Sequence, residues 1–313
     1  MTEGSHITHT FNPVQAETRD LLSLRPASAR ISLKPGRILS RETGLHMSPF
    51  RGRGLEFDEV RPYQAGDDIR NIDWRVTART GRTHTKLFCE ERERSVMLWV
   101  DLRAPMFFAT RGCFKSVWAA RAASLLSWRA VGQGDRLGGL IFSENRHQEL
   151  KPRRGRVAVL RMIHGLVEGT ATQTAVRGDS ADRVAQQALI RLKQGTHPGS
   201  LIVMCSDFQY LGEKSQQMMV QLSRHNDLLL LFIYDPLEKR LPKSGTYRIS
   251  DGVQTRVIQA GSKKVRQRHE QRFAVRWQAL RDLSSKPGIS VISCATNASV
   301  TDHLNRHLGQ RGR

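Results

Sequence analysis

Two aspartates close apolar runs that read as buried strands: Asp101 ends VMLWVD, and Asp207 follows LIVMCS. The carboxyl end of a strand is where open α/β sheets gather ligands. Two buried carboxylates left unpaired there would be costly, so something cationic is expected between them. Two residues beyond Asp101 stands Arg103, whose guanidinium carries a fixed positive charge and has no acceptor atom. Two arrangements are open. Either Arg103 folds back and pairs with Asp101 or Asp207, or it points to solvent and loop backbone N–H groups satisfy each carboxylate. Pro105 offers no side-chain oxygen, whereas Thr170 and Thr172, in a loop expected after Gly169, each offer a hydroxyl.

A second concentration of charge lies upstream, where Asp67, Asp68 and Asp73 stand among Arg61, Arg70, Arg75 and Arg79. These charges can pair within the block as a collar that packs a helix onto the sheet, or present an interface. Trp74 falls off the stripe of Ile69, Ile72 and Val76 at about 100° per residue, which marks either a second buried face or an exposed anchor. Core packing is the expectation. Signatures of catalysis are missing: there is no G-x-x-x-x-G-K-[ST] loop, no H-E-x-x-H and no G-x-S-x-G elbow. His303 and His307 share a helix face at i, i+4 without a third ligand.

To hold these residues the chain must alternate strands and helices. Gly66 marks a turn, and Asp67 or Asp68 can cap a helix beginning there. Ile69, Ile72 and Val76 at i, i+3 and i+7 predict that this is one short helix ending near Gly81. An edge strand is expected over 83–89 and a central parallel strand over 95–101. Helical spacing covers 114–131, 155–167, 180–194 and 212–225, with strands at 136–143, 200–208 and 227–234. Beyond Pro236 come a polar excursion with a small hairpin in 246–258, a strongly basic helix over 262–283, a strand at 289–294 and a last helix near 299–308. Such alternation predicts an α/β fold, a mostly parallel sheet with helices on both faces and right-handed crossovers. The first 45 or so residues, rich in Pro, Gly and basic side chains, read as an arm that lies along the body or is partly mobile.

Composition narrows the classes further. With 39% hydrophobic and 25% charged residues the 313-residue chain is of globular type. Fifty Lys and Arg against 29 Asp and Glu leave a net charge of +21, most of it beyond residue 100. That field attracts acidic proteins, anionic lipid or nucleic acid without choosing among them. Basic residues gather at Lys151, Arg153, Arg154 and Arg156, at Lys239, Arg240 and Lys243, and along 263–276; sparse aromatic interleaving weakens single-strand stacking. Cys89, Cys113, Cys205 and Cys294 are scattered, as buried free thiols of a reducing compartment would be. No stretch reaches the ~18 apolar residues of a membrane span, and a soluble, cytoplasmic protein is expected.

One segment is specific enough to compare. From Arg51 to Glu93 the chain reads RGRGLEFDEVRPYQAGDDIRNIDWRVTARTGRTHTKLFCEERE. Its ordered Gly54, Glu56, Phe57, Arg61, Tyr63, Gly66, Asp67, Asp68, Arg70, Asp73, Trp74, Ala78, Arg79 and Glu90 resemble the signature block of the bacterial domain of unknown function 58 family. The likeness covers roughly residues 45 to 235. It implies a signature block over 46–94 and a von Willebrand A-like domain from residue 95 onward, taken as 95–313; the basic stretch at about 237–285 lies outside the likeness and is read from its residues as an insertion. The likeness also implies an adaptor role beside MoxR-type AAA+ ATPases, with no catalytic residues and no cofactor. Such a domain places D-x-S-x-S after its first strand, where the Asp and Ser oxygens hold Mg²⁺ with a Thr and an Asp from later loops. Here the positions read Asp101, Arg103 and Pro105, with Thr170 and Asp207 as the later ones, so the metal site is expected to be degenerate, whether Arg103 takes the ion's place or points to solvent. The resemblance therefore points to a non-catalytic adaptor in protein assembly or maturation, its partner an ATPase or other von Willebrand A-like proteins, with Arg61, Tyr63, Asp67, Asp68, Arg70, Asp73 and Trp74 as the contact surface. The alternative is a basic polyanion-binding protein for nucleic acid or anionic membrane.

Overall fold

The computed structural model describes residues 11–33, 56–64, 67–89, 94–171, 181–209, 211–250 and 255–309. Helices α1 (Thr18–Ser23) and α2 (Arg25–Ser28) come first, followed by strand β1 (Glu56–Pro62), helix α3 (Trp74–Thr80) and strand β2 (His84–Cys89). Then come β3 (Ser95–Asp101), α4 (Lys115–Gly132), β4 (Arg136–Phe142), β5 (His147–Arg153), α5 (Arg156–Ala171) and α6 (Ala181–Gly195). Next are β6 (Leu201–Ser206), α7 (Glu213–Ser223), β7 (Asp227–Tyr234), α8 (Pro236–Lys239), β8 (Thr246–Ser250) and β9 (Thr255–Gln259). The series closes with α9 (Lys263–Ser284), β10 (Ile289–Ala295) and α10 (Val300–Leu308). Two units separate, Pro49–Arg94 and the remainder.

In the larger unit six strands form one sheet in the order β10-β7-β6-β3-β4-β5, parallel except for the antiparallel edge pair β4–β5. Alternation along β3 sorts the core. Val96, Leu98 and Val100 face a cluster built with α4, α5 and α10, while Met97 and Trp99 face a second cluster with α6, α7 and α9. Helix α4 is buried nearly all round, its Ala119, Ala120, Ala122 and Ala123 letting neighbours approach. Strands buried on both faces are near-continuous apolar runs, which is why β3, β6 and β7 were legible. Strand β5 was not expected; HQELKPR is half-exposed, and its Pro152 is tolerated because the strand lies at the sheet edge.

The segment read as an arm is, over residues 11–33, part of the larger unit. Ala16, Leu21, Leu24, Ile31 and Leu33 are buried in the first cluster, each large side chain contributing about 1.5–3 kcal/mol by leaving water. The Leu21 carbonyl accepts from Ser124 Oγ at 2.9 Å and Trp128 Nε1 at 3.3 Å, Arg121 pairs with Asp20 at 2.7 Å, and Ser32 N–H donates to the Leu308 carbonyl at 2.6 Å.

In the smaller unit β1 and β2 pair antiparallel. The single helix expected up to Gly81 is split into a 3-10 turn, Ile69–Asn71, and α3. Between them the backbone turns to β2: Ile72 bridges Thr85, and Asp73 N–H donates to the His84 carbonyl at 2.9 Å. Asp68 caps the turn by accepting from Arg70 N–H, Asp73 caps α3 by accepting from Arg75 and Val76 N–H, and Gly81 at φ 68° ends it.

Candidate functional site

The register of β3 on β6 sets Val100 opposite Cys205, so the strands deliver Asp101 and the pair Ser206–Asp207 side by side at the carboxyl edge of the sheet. Asp101 is fully buried. Its Oδ1 accepts from Arg103 Nε at 2.9 Å and Arg103 backbone N–H at 3.0 Å, and its Oδ2 accepts from Arg103 Nη2 and Ser206 Oγ, both at 2.6 Å. The guanidinium is thus folded back in a two-pronged pair with the carboxylate and is 3% exposed, its Cζ 5.7 Å from the Phe142 ring centroid. Burial opposes the charge on Arg103, but Asp101 first, then Asp207 and Glu144, hold its pKa above the ordinary range. Pro105 lies in the short 3-10 turn Ala104–Met106 just beyond.

Asp207 has its own cation. Lys115, at the first turn of α4 and 0% exposed, donates from Nζ to Asp207 Oδ2 and to Glu238 Oε1, each at 2.7 Å. Burial works against both charges, yet the carboxylates raise the Lys115 pKa, and Lys115 with Arg276 lowers that of Asp207. Asp207 Oδ1 accepts from Gln209 N–H at 3.0 Å. The next residue, Phe208, sits at φ 49°, a left-handed conformation strained for an aromatic side chain and held by its N–H bond to Ser206 Oγ at 2.9 Å. Glu238 Oε2 accepts from Asp235 N–H and lies 3.6 Å from Arg276 Nη2 of α9. Asp235, fully buried, accepts from Thr110 N–H and Oγ1, Leu237 N–H and Thr296 Oγ1. The segments after four parallel strands, β3, β6, β7 and β10, are therefore tied together by carboxylates.

Such a donor set does not fit a divalent ion. Octahedral coordination needs open oxygen donors, whereas the carboxylate oxygens of Asp101 and Asp207 are bonded to N–H, O–H and ammonium groups, and the two cations would repel a third. The arrangement clamps charge in place, because Lys115 has no exposed surface through which to exchange a proton with a substrate.

Other predicted residues fall elsewhere. Thr170 lies inside α5, which runs to Ala171 instead of ending near residue 167; its hydroxyl bonds the Leu166 and Val167 carbonyls and accepts from Ala16 N–H at 3.2 Å. It anchors the leading segment and has no part in the Asp101 cluster. Thr172, Gly54, Gly66 and Glu90 lie outside the described residues. In the smaller unit Arg61 pairs with Asp67 at 2.7 Å, and Asp67 also accepts from Gln64 N–H. Tyr63 is half-buried, its N–H on the Thr83 carbonyl. Trp74 is 68% and Ile69 66% exposed, against the expectation of core packing. Asp73 is the reason: by starting α3 at Trp74 it resets the helical phase. Thr77, whose Oγ1 accepts from His84 N–H, then turns toward β2, and Trp74, Arg75, Ala78 and Arg79 turn outward.

Lys115, Ser206 and Glu238 were missed. A signal existed for Lys115, because a lysine in the first turn of a helix opposes the helix dipole and is otherwise surrounded by apolar and small residues in FKSVWAARAASLL. Glu238 was legible as the far half of a capping box, Asp235-Pro236-Leu237-Glu238, though its reach to Lys115 was not.

The family model described as "Protein of unknown function DUF58" matches residues 59–279. Uncharacterized proteins of Mycobacterium tuberculosis and Mycobacterium bovis are 33% identical over 208 residues, 66% of this chain. The match spans 64% of the length of those relatives. Among solved structures, the conserved hypothetical protein BatB from Bacteroides thetaiotaomicron aligns with a TM-score of 0.43 at 14% identity, covering 68% of this chain and 96% of that one. An aerotolerance-related membrane protein from Bacteroides fragilis aligns with a TM-score of 0.42 at 16% identity, covering 69% and 98%. Among the described residues of this chain, no helix is long and apolar enough to cross a membrane.

Proposed function

The chain belongs to the DUF58 family of proteins of unknown function, and we propose that it is a non-catalytic interaction module, an adaptor with a degenerate metal-ion-dependent adhesion site. A MoxR-type AAA+ ATPase is the partner that the signature block points to. The observation that carries this reading is the pair of built-in cations. Arg103 on Asp101 and Lys115 on Asp207 and Glu238 are buried at the carboxyl edge of the sheet and supply the positive charge that a bound ion would otherwise bring to these aspartates. Partners then have to be met elsewhere. In the smaller unit the outward Ile69 and Trp74, among exposed Arg70, Arg75 and Arg79, have the aromatic and arginine character of a binding hot spot, while Asp68 and Asp73 serve as helix caps.

The experiment is a binding titration of a purified MoxR-type ATPase from the same organism against the full chain and its Trp74→Ala variant. Binding by the unaltered chain and a loss of about tenfold or more in the variant support the reading. No binding, or equal binding by both, contradicts it. A second reading, attraction to polyanions, draws support from the exposed Lys263, Lys264, Arg268 and Arg272 of α9. Against it, Phe273 and Trp277 of that helix turn inward onto Phe232, with ring centroids 5.5 and 5.6 Å away, so they offer no platform to bases.

A further inference from the structure

The seam between edge strand β5 and helix α5 is an open groove with an apolar floor and a basic rim. Three hollows of about 460, 320 and 190 Å³ run along it and share lining residues, Leu150 and Arg161 between the first two and Gln148 between the first and third. Leu150 forms the floor with Val157, 59% exposed, and Leu160, 43% exposed. These two sit one helical turn apart, the spacing at which apolar side chains of a second helix interlock. Around them stand Lys151, Arg153, Arg156 and Arg161, all exposed and without an ion pair among the described residues. Of the carboxylates lining the hollows, Glu149 pairs with Arg191 at 3.0 Å, and Glu168 lies 3.7 Å from His164, a contact that is an ion pair only with the imidazole protonated.

We propose that this groove docks an acidic amphipathic helix of another protein, apolar side chains on Leu150, Val157 and Leu160 and carboxylates toward Lys151, Arg153 and Arg161. Charge complementarity selects the occupant. Strand addition is disfavoured, since Pro152 in β5 removes a backbone N–H from the edge. Single-stranded nucleic acid is disfavoured because no Phe, Tyr or Trp lines the two larger hollows, and a duplex, which would leave the apolar floor of Leu150, Val157 and Leu160 unused, is the competing outcome of the test. The groove belongs to the larger unit and stands independently of the Trp74 surface and of the ATPase.

The test uses the full chain and a fluorescein-labelled helical peptide with Leu at i, i+3, i+4 and i+7 and Glu at the outward positions. A shuffled peptide of the same composition and a labelled DNA duplex are run in parallel by anisotropy. The patterned peptide should bind at least about tenfold more tightly than the shuffled one. Joint replacement of Val157→Glu and Leu160→Glu should cost at least about tenfold in affinity with an unchanged thermal midpoint, as expected for exposed positions. Replacing Arg153→Glu and Arg161→Glu should weaken binding and flatten its salt dependence. Equal binding of the two peptides, full binding by the Val157→Glu, Leu160→Glu chain, or binding of the duplex but not the peptide would each overturn the proposal, as would no binding of the peptide at all.

Discussion

Lys115 is the residue on which the interior depends most. Its ammonium lies between two carboxylates with no solvent exposure, so removing it leaves Asp207 buried and unpaired. Lys115→Met should destabilise the larger unit by about 3–5 kcal/mol, read as a lower urea midpoint at unchanged slope. Adding Asp207→Asn and Glu238→Gln should recover part of that loss, since the stranded charges go with the lysine. A triple variant no more stable than the single one would show that Lys115 acts through packing alone. The pH behaviour is set by the directions of the shifts. The depressed Asp207 pKa contributes stability above the ordinary 3.8 that is lost as pH falls through the folded value; the raised Lys115 pKa contributes stability below 10.5 that is lost as pH rises through its folded value. Between those limits the cluster's contribution is flat. The fold-back of Arg103 could be raised as one of two arrangements because the residue stands two positions from Asp101 in the chain. Lys115 is 92 residues from Asp207 and 123 from Glu238, and only the sheet brings the three together.

Elements were legible where burial is complete and obscure where it is partial. Strands β3, β6 and β7 declare themselves as unbroken apolar runs, and α4 by its dense apolar and small-residue spacing. Strands β1 and β5 are polar and, among the described residues, each pairs with one neighbour, so no apolar run marks them. The split at Asp73 was hidden because Ile69, Ile72 and Val76 satisfy helical spacing while Asp73 is also a good N-cap, and cap chemistry together with the bond to His84 prevails. Asp73→Ala should therefore cost about 1 kcal/mol of local stability, visible as about fivefold faster amide exchange over 74–80 with the urea midpoint of the larger unit unmoved. Unchanged exchange there would mean that the pairing with β2, not the cap, starts α3.

At the scale of the whole molecule the fold class was readable and the state of its centre was not. The order of strands and helices in the chain predicts a mostly parallel sheet covered on both faces, and the six-stranded sheet has that form with one antiparallel edge. The sequence offered Arg103 as one candidate cation beside Asp101, and the structure holds a second buried one, Lys115. Restoring Arg103→Ser and Pro105→Ser should leave the site closed, because Lys115 still occupies Asp207. Whether built-in cations replace a metal is decided by titrating Mg²⁺ into the unaltered full chain by calorimetry. No saturable binding is expected up to roughly 10 mM, beyond the weakest oxygen-ligand sites of natural modules; a one-to-one site saturating in the micromolar range would mean that the cations do not close the site.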